Sequence, residues 1–273
     1  MERTAVLYLS RKGNPPRLSR AFLNSLLHQP AGAAFDLIYV LKGFAAGEID
    51  ENLPPFAKAL PCPVHELRIR DEIFHIAVFF ELAAALAGYD RILFLNSYSR
   101  LLGHNWLASF EHGFAEVPNC GVVGATGGYE VMPGLPFPNI GLRTNAFLIA
   151  RDLFTSLDPG ALETQRGGNQ FEAGHKGMTK QIRAMGLEAV IADKFGKIWR
   201  HEDWPESRTF RSYNQEGLLV SDNRTAQFMA SSNRKRWRLA RLNWGDAAKV
   251  TPISPLARMR AAWDWNYPKV RFP

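Results

Sequence analysis

Cysteine is scarce in this chain, which has only Cys62 and Cys120 among its 273 residues. The two lie far apart in sequence, and neither belongs to a cluster of Cys or His residues. Neither a disulfide framework nor a zinc module is therefore indicated. A chain without disulfides suits a reducing, cytoplasmic setting.

Long apolar runs are also missing. The longest apolar region, residues 74–95, is interrupted by Glu81, Asp90 and Arg91, which argues against a membrane span and favours a buried helix followed by a strand. The apolar run before Arg11 is too short for the core of a signal peptide. With 46% hydrophobic residues, the chain can still bury the core of one large domain.

The main part of the chain has no excess of basic residues, although the net charge of the whole is +7. Residues 231–273 contain ten Lys or Arg and two Asp, a net charge of +8, which leaves −1 for residues 1–230. We therefore predict a main domain over 1–230 and a basic amphipathic C-terminal extension over 231–273. No motif that reads nucleic acid accompanies this charge, so a nucleic-acid partner is not expected.

The centre of the extension, residues 234–244, mixes cations with Trp and Leu (RKRWRLARLNW). This pattern is typical of an amphipathic helix lying on an anionic membrane surface, which would place the protein at the inner face of a membrane. It is equally typical of a helix that docks on the main domain and leaves its cations in water. Both interpretations stay open at this point.

Two kinds of hydrophobic pattern alternate along the main domain and predict strands and helices in turn. Helices are predicted at 18–28, 72–87, 106–114 and 178–185. Strands are predicted at 4–11, 35–41, 64–70, 92–95, 120–125, 143–150 and 187–192. This alternation predicts an α/β fold, in which helices cover a parallel sheet.

The strand at 92–95 ends abruptly in Asn96, Ser97 and Tyr98. Its continuous apolar run is typical of a strand buried on both faces of a sheet. Ligands of open α/β sheets bind outside the carboxyl ends of the parallel strands, so these three residues are candidates for ligand contact. The alternative is a strand that merely ends in a polar turn.

Further along, the segment RTNAFLIA (143–150) predicts a strand that has Arg143 and Asn145 on one face. We expect Glu172 and His175 on the loop or first turn before the helix that begins near residue 178. A carboxylate in such a place can act as a base. The alternative is a carboxylate that is merely favoured by the dipole of that helix.

The order of several short motifs resembles that of bacterial glycosyltransferases of the GT-A fold, near family 2. The resemblance spans about four fifths of the chain and depends on the order of weak motifs. The motifs are KGF (42–44), FLNSYS (94–99), WL (106–107), GVVGATG (121–127), RTNAF (143–147), FEAG (171–174) and DNRT (222–225).

This resemblance implies a Rossmann-like, mixed and mostly parallel sheet flanked by helices, followed here by the basic helical tail. It implies that the N-terminal half binds a nucleotide-diphospho-sugar and that the C-terminal half binds an acceptor hydroxyl on a glycan or glycolipid. The implied activity is an inverting transfer of the sugar, as in bacterial polysaccharide biosynthesis.

One departure from the family concerns the metal. Where the common pattern has Asp-x-Asp, whose carboxylates hold a divalent cation on the diphosphate, this chain has Asn96, Ser97 and Tyr98. Divalent cations such as Mg²⁺ prefer anionic oxygen ligands, so a metal is disfavoured and no cofactor is expected. Basic groups would then neutralise the diphosphate. The candidates for contact with the diphosphate or the acceptor are Arg143, Asn145, His175, Lys176, Arg208 and Arg211.

The resemblance also assigns roles to single residues. Glu172 is the implied catalytic base, because FEAG matches the place where the family's acidic base precedes a helix. Donor contacts are implied at the strand ends, from Ser10, Arg11, Lys42, Gly43, Asp71, Asn96, Ser97 and Tyr98. Three alternatives stay open: Asp71 as a helix N-cap, Lys42 as a solvated lysine, and Tyr98 as a buried aromatic plug.

Two other classes of function remain. The chain could be a catalytically silent protein that binds a nucleotide sugar, or a nucleotidyltransferase built on a similar sheet. A nucleotidyltransferase normally needs acidic metal ligands, which are scarce here. The presence of Glu172 beside a basic loop favours an active transferase.

Overall fold

A computed structural model describes residues 2–72, 75–162 and 164–270. The strands are β1 (Thr4–Arg11), β2 (Asp36–Lys42), β3 (Val64–Ile69), β4 (Arg91–Leu95), β5 (Arg100–Leu101), β6 (Cys120–Gly124), β7 (Gly127–Tyr129), β8 (Ile140–Leu142), β9 (Ala146–Ala150), β10 (Glu188–Ala192), β11 (Ile198–Trp199) and β12 (Val220–Ser221). The α-helices are α1 (Arg17–His28), α2 (Leu53–Ala57), α3 (His75–Ala85), α4 (Trp106–Glu116), α5 (Arg151–Ser156), α6 (Gln165–Ala173), α7 (Met178–Ala184), α8 (Asn223–Ala230), α9 (Asn233–Trp244) and α10 (Pro255–Asn266). Short 3-10 helices span His201–Ser207 and Gly245–Ala247.

Eight strands form the central sheet, in the order β11-β10-β6-β9-β4-β1-β2-β3. The strands β1 to β4, β6 and β10 point the same way, whereas β9 and the edge strand β11 run against them. The predicted α/β fold, a mixed and mostly parallel sheet flanked by helices with a helical tail, is confirmed.

Apolar side chains cover both faces of this sheet, as the unbroken apolar runs of β1, β2 and β4 predict. On one face they pack against α1, α2 and α4, with Phe22 and Trp106 fully buried. On the other face they pack against α3 and α5 to α9, with Phe79 and Phe154 fully buried. The loops at the edges of the sheet are therefore attached to strands that are packed on both faces.

The antiparallel strand β9 brings the middle of the chain to the carboxyl edge of the parallel strands. Its first residue, Ala146, pairs with Leu95, the last residue of β4. The predicted strand over 143–150 is therefore too long at its start, because Arg143, Thr144 and Asn145 form a turn before β9. The N–H groups of Arg143 and Thr144 bond outside the sheet, to the Thr126 carbonyl and the Glu172 carboxylate.

The first helix of the basic tail packs into the main body. Arg236 of α9 is fully buried and donates hydrogen bonds to the carbonyls of Thr251 and Tyr213 and to Oδ1 of Asn214. Trp244 ends α9 in the core and donates from its indole N–H to the carbonyl of Phe210 (2.8 Å). The docking interpretation of residues 234–244 is thus the one the structure shows for α9, and the domain boundary at residue 230 stays a prediction.

Within the parts of the chain that the structure describes, no helix has the length and hydrophobicity needed to cross a membrane.

Candidate functional site

The larger of two cavities at the carboxyl edge of the sheet has a volume of about 690 Å³. It opens beyond the ends of β1 and β2, and its walls come from the loops that follow these strands. Of the predicted donor residues, Ser10, Arg11 and Ser97 line it. The half-buried ring of Phe44 and the side chain of Ile49 add an apolar wall. We call this space the first cavity.

A buried carboxylate, Asp50, organises the floor of the first cavity. Its Oδ2 accepts hydrogen bonds from the hydroxyls of Ser10 and Tyr39, both at 2.7 Å. Its Oδ1 accepts from the backbone N–H of Asn52 at 3.0 Å. Burial raises the pKa of Asp50, but the hydrogen bonds that it accepts, those from Tyr39 and Ser10 foremost, together outweigh burial and hold this pKa below its usual range. Sequence reasoning missed Asp50, because nothing in its polar loop marks it out.

Three of the predicted donor residues form one ion-pair cluster, of which only Arg11 lines the first cavity. Arg11 makes a paired contact with Asp71, with Nε–Oδ1 at 2.7 Å and Nη2–Oδ2 at 2.9 Å. Lys42 is buried and places Nζ 2.7 Å from the same Oδ1. The hydrogen bond from Arg11, followed by that from Lys42, holds the pKa of Asp71 well below its usual range.

This cluster settles two of the alternatives. Lys42 is not a solvated lysine, and Asp71 is bound to Arg11 and Lys42 instead of capping α3, which begins at His75. Gly43 lets Asp71 approach, because its φ is +76° and a Cβ there would lie 3.0 Å from the Cβ of Asp71.

The segment after β4 forms a tight polar turn. Oδ1 of Asn96 accepts from the backbone N–H of Tyr98 (2.9 Å) and from the hydroxyl of Ser99 (3.2 Å). The carbonyl of Ser97 accepts from the buried hydroxyl of Tyr8. Tyr98 is half-buried, and Asn96 and Tyr98 are not among the residues that line either cavity.

The donor set at this turn does not fit a divalent cation. The amide oxygen of Asn96 is already engaged by two donors, and neither Ser97 nor Tyr98 supplies an anionic oxygen. Across residues 2–72, 75–162 and 164–270, no group of three or more His, Cys, Asp or Glu residues is placed to hold a metal. We therefore derive no step of chemistry through a metal.

The turn after β4 is bonded directly to the turn before β9. The N–H of Asn96 donates to the carbonyl of Asn145 (3.1 Å). The side chain of Asn145 is buried, and its Oδ1 accepts from the hydroxyl of Thr126 (2.7 Å). The next residue upstream, Thr144, donates its N–H to Oε1 of Glu172 (3.1 Å). A short chain of backbone contacts therefore connects the first cavity to Glu172.

Glu172 lies in a second cavity, which has a volume of about 340 Å³. The predicted residues Arg143 and Arg211 line this second cavity with it, and so do Arg224 and Glu130. Glu172 occupies the last turn of α6, so its predicted location on a loop or at a helix start is wrong. That prediction failed because Gly167 and Gly168 lower the helix propensity of α6.

The wall of the second cavity is built on a buried ion pair. Nη2 of Arg143 lies 2.8 Å from Oδ2 of Asp222, and Asp222 is fully buried. Asp222 also caps α8, since its Oδ1 accepts from the N–H groups of Arg224 and Thr225. Burial opposes the charge on Asp222, yet Arg143 and the cap hold the pKa of this carboxyl below its usual range.

Two arginines share one aromatic ring in this cavity. The guanidinium carbons of Arg143 and Arg211 lie 4.3 Å and 4.8 Å from the centre of the Phe210 ring. Burial, together with the nearby charge of Arg143, lowers the pKa of Arg211 to about 10, so Arg211 remains a cation at neutral pH. Nη1 of Arg143 and Nε of Arg211 are buried and have no hydrogen-bond partner among the described residues. Buried donors of this kind call for an acceptor, and an anionic group of a ligand would supply one.

Glu130 is a second carboxylate that sequence reasoning missed. It follows β7 directly and lines the second cavity. Burial and the neighbouring charge of Glu172 raise its pKa, even though Arg143 and Arg211 oppose this shift. No local pattern could have revealed Glu130, because only the folded β7–β8 hairpin brings it to Glu172.

Three predicted cations lie outside both cavities. His175 and Lys176 are exposed, and Nζ of Lys176 pairs with Asp158 at 3.0 Å on the surface. Arg208 is exposed and stacks on the ring of Tyr213 at 4.6 Å. The structure therefore assigns none of the three to the cluster around Glu172.

No family model matches this chain, and no curated protein matches it. Among solved structures, it is similar to a mannosyltransferase from Pyrobaculum calidifontis in complex with GDP-Man and Mn²⁺, at 13% identity over 97% of this chain and 70% of that one, with a TM-score of 0.47. It is also similar to mouse xyloside xylosyltransferase 1, at 16% identity over 68% of this chain and 82% of that one, with a TM-score of 0.40. CMP:2-keto-3-deoxy-manno-octonic acid synthetase with CTP is similar at 13% identity over 70% and 91%, with a TM-score of 0.41. These are loose likenesses, so function has to be inferred from the side chains of the two cavities.

Proposed function

We propose that this protein is a glycosyltransferase that moves a sugar from a nucleotide-diphospho-sugar to an acceptor hydroxyl. The observation that carries the proposal is the position of Glu172. Its carboxylate accepts from the N–H of Thr144 in a cavity shared with two half-buried arginines, and hydrogen bonds through the turn before β9 connect it to the first cavity.

The first cavity is the proposed site of the nucleotide. The ring of Phe44 offers a face on which a base can stack, and the hydroxyl of Ser10 lies where a ribose can bond. The pair formed by Arg11 and Asp71 stands at the rim. The turn at Asn96–Tyr98 then lies between the nucleoside and the second cavity, where the diphosphate and the sugar would be placed.

In the proposed reaction, Glu172 accepts the proton of the acceptor hydroxyl as this oxygen attacks the anomeric carbon. The bond from that carbon to the diphosphate breaks, and the diphosphate leaves with the electron pair. Arg143 and Arg211 stabilise its charge through their unpartnered N–H groups. A single displacement inverts the anomeric configuration. His175, Lys176 and Arg208 have no part in this scheme.

The proposal extends to the setting of the protein. The acceptor would be a glycan or a lipid-linked glycan of bacterial polysaccharide biosynthesis. The transfer reaction would take place in the cytoplasm, and the basic tail would make peripheral contact with an anionic membrane. A nucleotidyltransferase is disfavoured because the described residues hold no acidic cluster for a metal.

A thermal-shift panel of UDP, GDP, dTDP and CMP sugars, each with and without EDTA, tests donor binding. A ligand that binds only the folded state raises its melting temperature, so one donor class should raise Tm equally with and without EDTA. Asp50→Asn should diminish this shift, since it removes the charge that orders the first cavity. The proposal fails if no donor shifts Tm or if EDTA removes the shift.

A further inference from the structure

The outward face of α10 is apolar. Leu256, Met259 and Trp263 are 75%, 69% and 63% exposed and recur at the spacing that places residues on one side of a helix, and Tyr267, directly after the helix, is 61% exposed. The rings of Trp263 and Tyr267 pack against each other in solvent, with centres 4.4 Å apart. Large apolar side chains gathered on one exposed face mark an interaction surface.

The other side of α10 is fixed to the main body, so this exposure does not reflect a loosely attached helix. Arg100 donates to the backbone carbonyls of Asp264 (3.0 Å) and Trp265 (2.5 Å), and its guanidinium stacks on the ring of Trp265 at 4.1 Å. Trp265 therefore points inward while Trp263 points outward. α10 also packs against α8.

The neighbouring helix of the tail, α9, carries exposed positive charge. Arg234, Lys235, Arg238 and Arg241 are exposed on the outward side of α9, flanked by the exposed Trp237 and Leu242. Arg260 is exposed on α10 itself, where its Nε lies 3.8 Å from Oδ2 of the exposed Asp264. Residues 231–273 as a whole carry a net charge of +8, against −1 for residues 1–230. This combination is complementary to a bilayer rich in acidic lipids, which has an anionic surface above an apolar interior.

We propose that α10 inserts its apolar face into the headgroup region of an anionic membrane, while the cations of α9 bind the lipid phosphates. From sequence alone, residues 234–244 are the candidate for an amphipathic helix that lies on the membrane. In this proposal those residues supply the charge, and α10 supplies the apolar side chains that insert. α10 is attached beside the first cavity, since Arg17 of α1 contacts Asn266 and residues next to Arg17 line that cavity. Bound in this way, the site would lie close to lipid-linked substrates.

Co-sedimentation with vesicles tests the proposal. The full chain should pellet with phosphatidylcholine vesicles that contain about 30% phosphatidylglycerol and should stay in solution with pure phosphatidylcholine. Added salt should weaken the binding, because the cations of α9 contribute to it. The double substitution Met259→Ser with Trp263→Ser should lower the affinity for the anionic vesicles by about tenfold or more.

Met185→Ser is the matched control, since Met185 is an exposed methionine at the end of α7, and it should bind as the wild type does. If the double variant did not fold, Leu256→Ser with Tyr267→Ser would replace it. Equal binding by wild type and double variant, or no binding by the wild type, overturns the proposal. The proposal is also overturned if the wild type is a dimer without lipid and the double variant is a monomer, because the face would then be an interface between two copies. The donor-induced Tm shift is a separate readout, so failure here leaves the proposed transfer reaction untouched.

Discussion

At the scale of single residues, Glu172 stands where the helix dipole disfavours it. A carboxylate in the last turn of α6 faces the negative end of the helix, and the dipole of a helix start cannot explain its presence. The N–H of Thr144 donates to its Oε1, and Arg143 and Arg211 line the same cavity. A carboxylate at an unfavourable helix position, beside guanidinium nitrogens that lack hydrogen-bond partners among the described residues, is typical of a functional site.

Glu130 gives a prediction about stability at this scale. Its pKa is raised in the folded protein, so ionising Glu130 costs more in the folded than in the unfolded state. The penalty appears as pH rises through the ordinary Glu value of about 4.3 and is complete above the raised pKa. Glu130→Gln should therefore raise the free energy of unfolding at pH 7, and the gain should vanish at pH values below about 4.

Urea denaturation at a series of pH values measures this effect. Glu66→Gln serves as the control, because Glu66 is exposed on β3, far in the chain from the second cavity, and its replacement should change little. If Glu130→Gln lowered the free energy of unfolding at pH 7, the prediction would be wrong. The attraction of the arginines to the ionised Glu130 would then exceed the opposing effects of burial and of Glu172.

At the scale of elements, local patterns predicted most strands but not their directions. The eight residues of β1 were predicted with correct limits, because an apolar run between polar ends specifies a buried strand. The segment 146–150 has the same pattern whether it runs parallel or antiparallel to β4, so the return path through the β7–β8 hairpin was not predictable. The residues at the carboxyl edge could be predicted from strand ends, whereas Asp50 and Glu130 reach the cavities only through long-range contacts.

The docking of α9 gives a prediction about an element. The buried Arg236 donates to three partly buried acceptors, and Arg236→Met would remove these three charge-assisted hydrogen bonds, each worth about 1.5–3 kcal/mol. We expect the free energy of unfolding to fall by about 3 kcal/mol or more. The neighbouring Arg238 is exposed, so Arg238→Met should change it by less than about 0.5 kcal/mol. Equal effects of the two substitutions in urea denaturation would show that α9 is an appendage and not a part of the core.

At the scale of the whole molecule, the two cavities form one proposed path along the rim of the sheet. In this proposal the first would hold the nucleoside and the turn at Asn96–Tyr98 would follow, while the second presents Glu172 among arginines. The antiparallel β9 makes this arrangement, because it returns the chain to the edge where β1, β2 and β4 end. In this account, Arg143 and Arg211 neutralise the leaving diphosphate. A divalent cation has that role in the Asp-x-Asp pattern, from which this sequence departs.

The most direct test of this account measures free nucleoside diphosphate released from the donor in the presence of EDTA, with water in place of the acceptor. The wild type should release it, and Glu172→Gln should release it about 10²- to 10⁴-fold more slowly while keeping the full donor-induced Tm shift. Equal rates for the two proteins, or loss of the wild-type reaction in EDTA, would contradict the account.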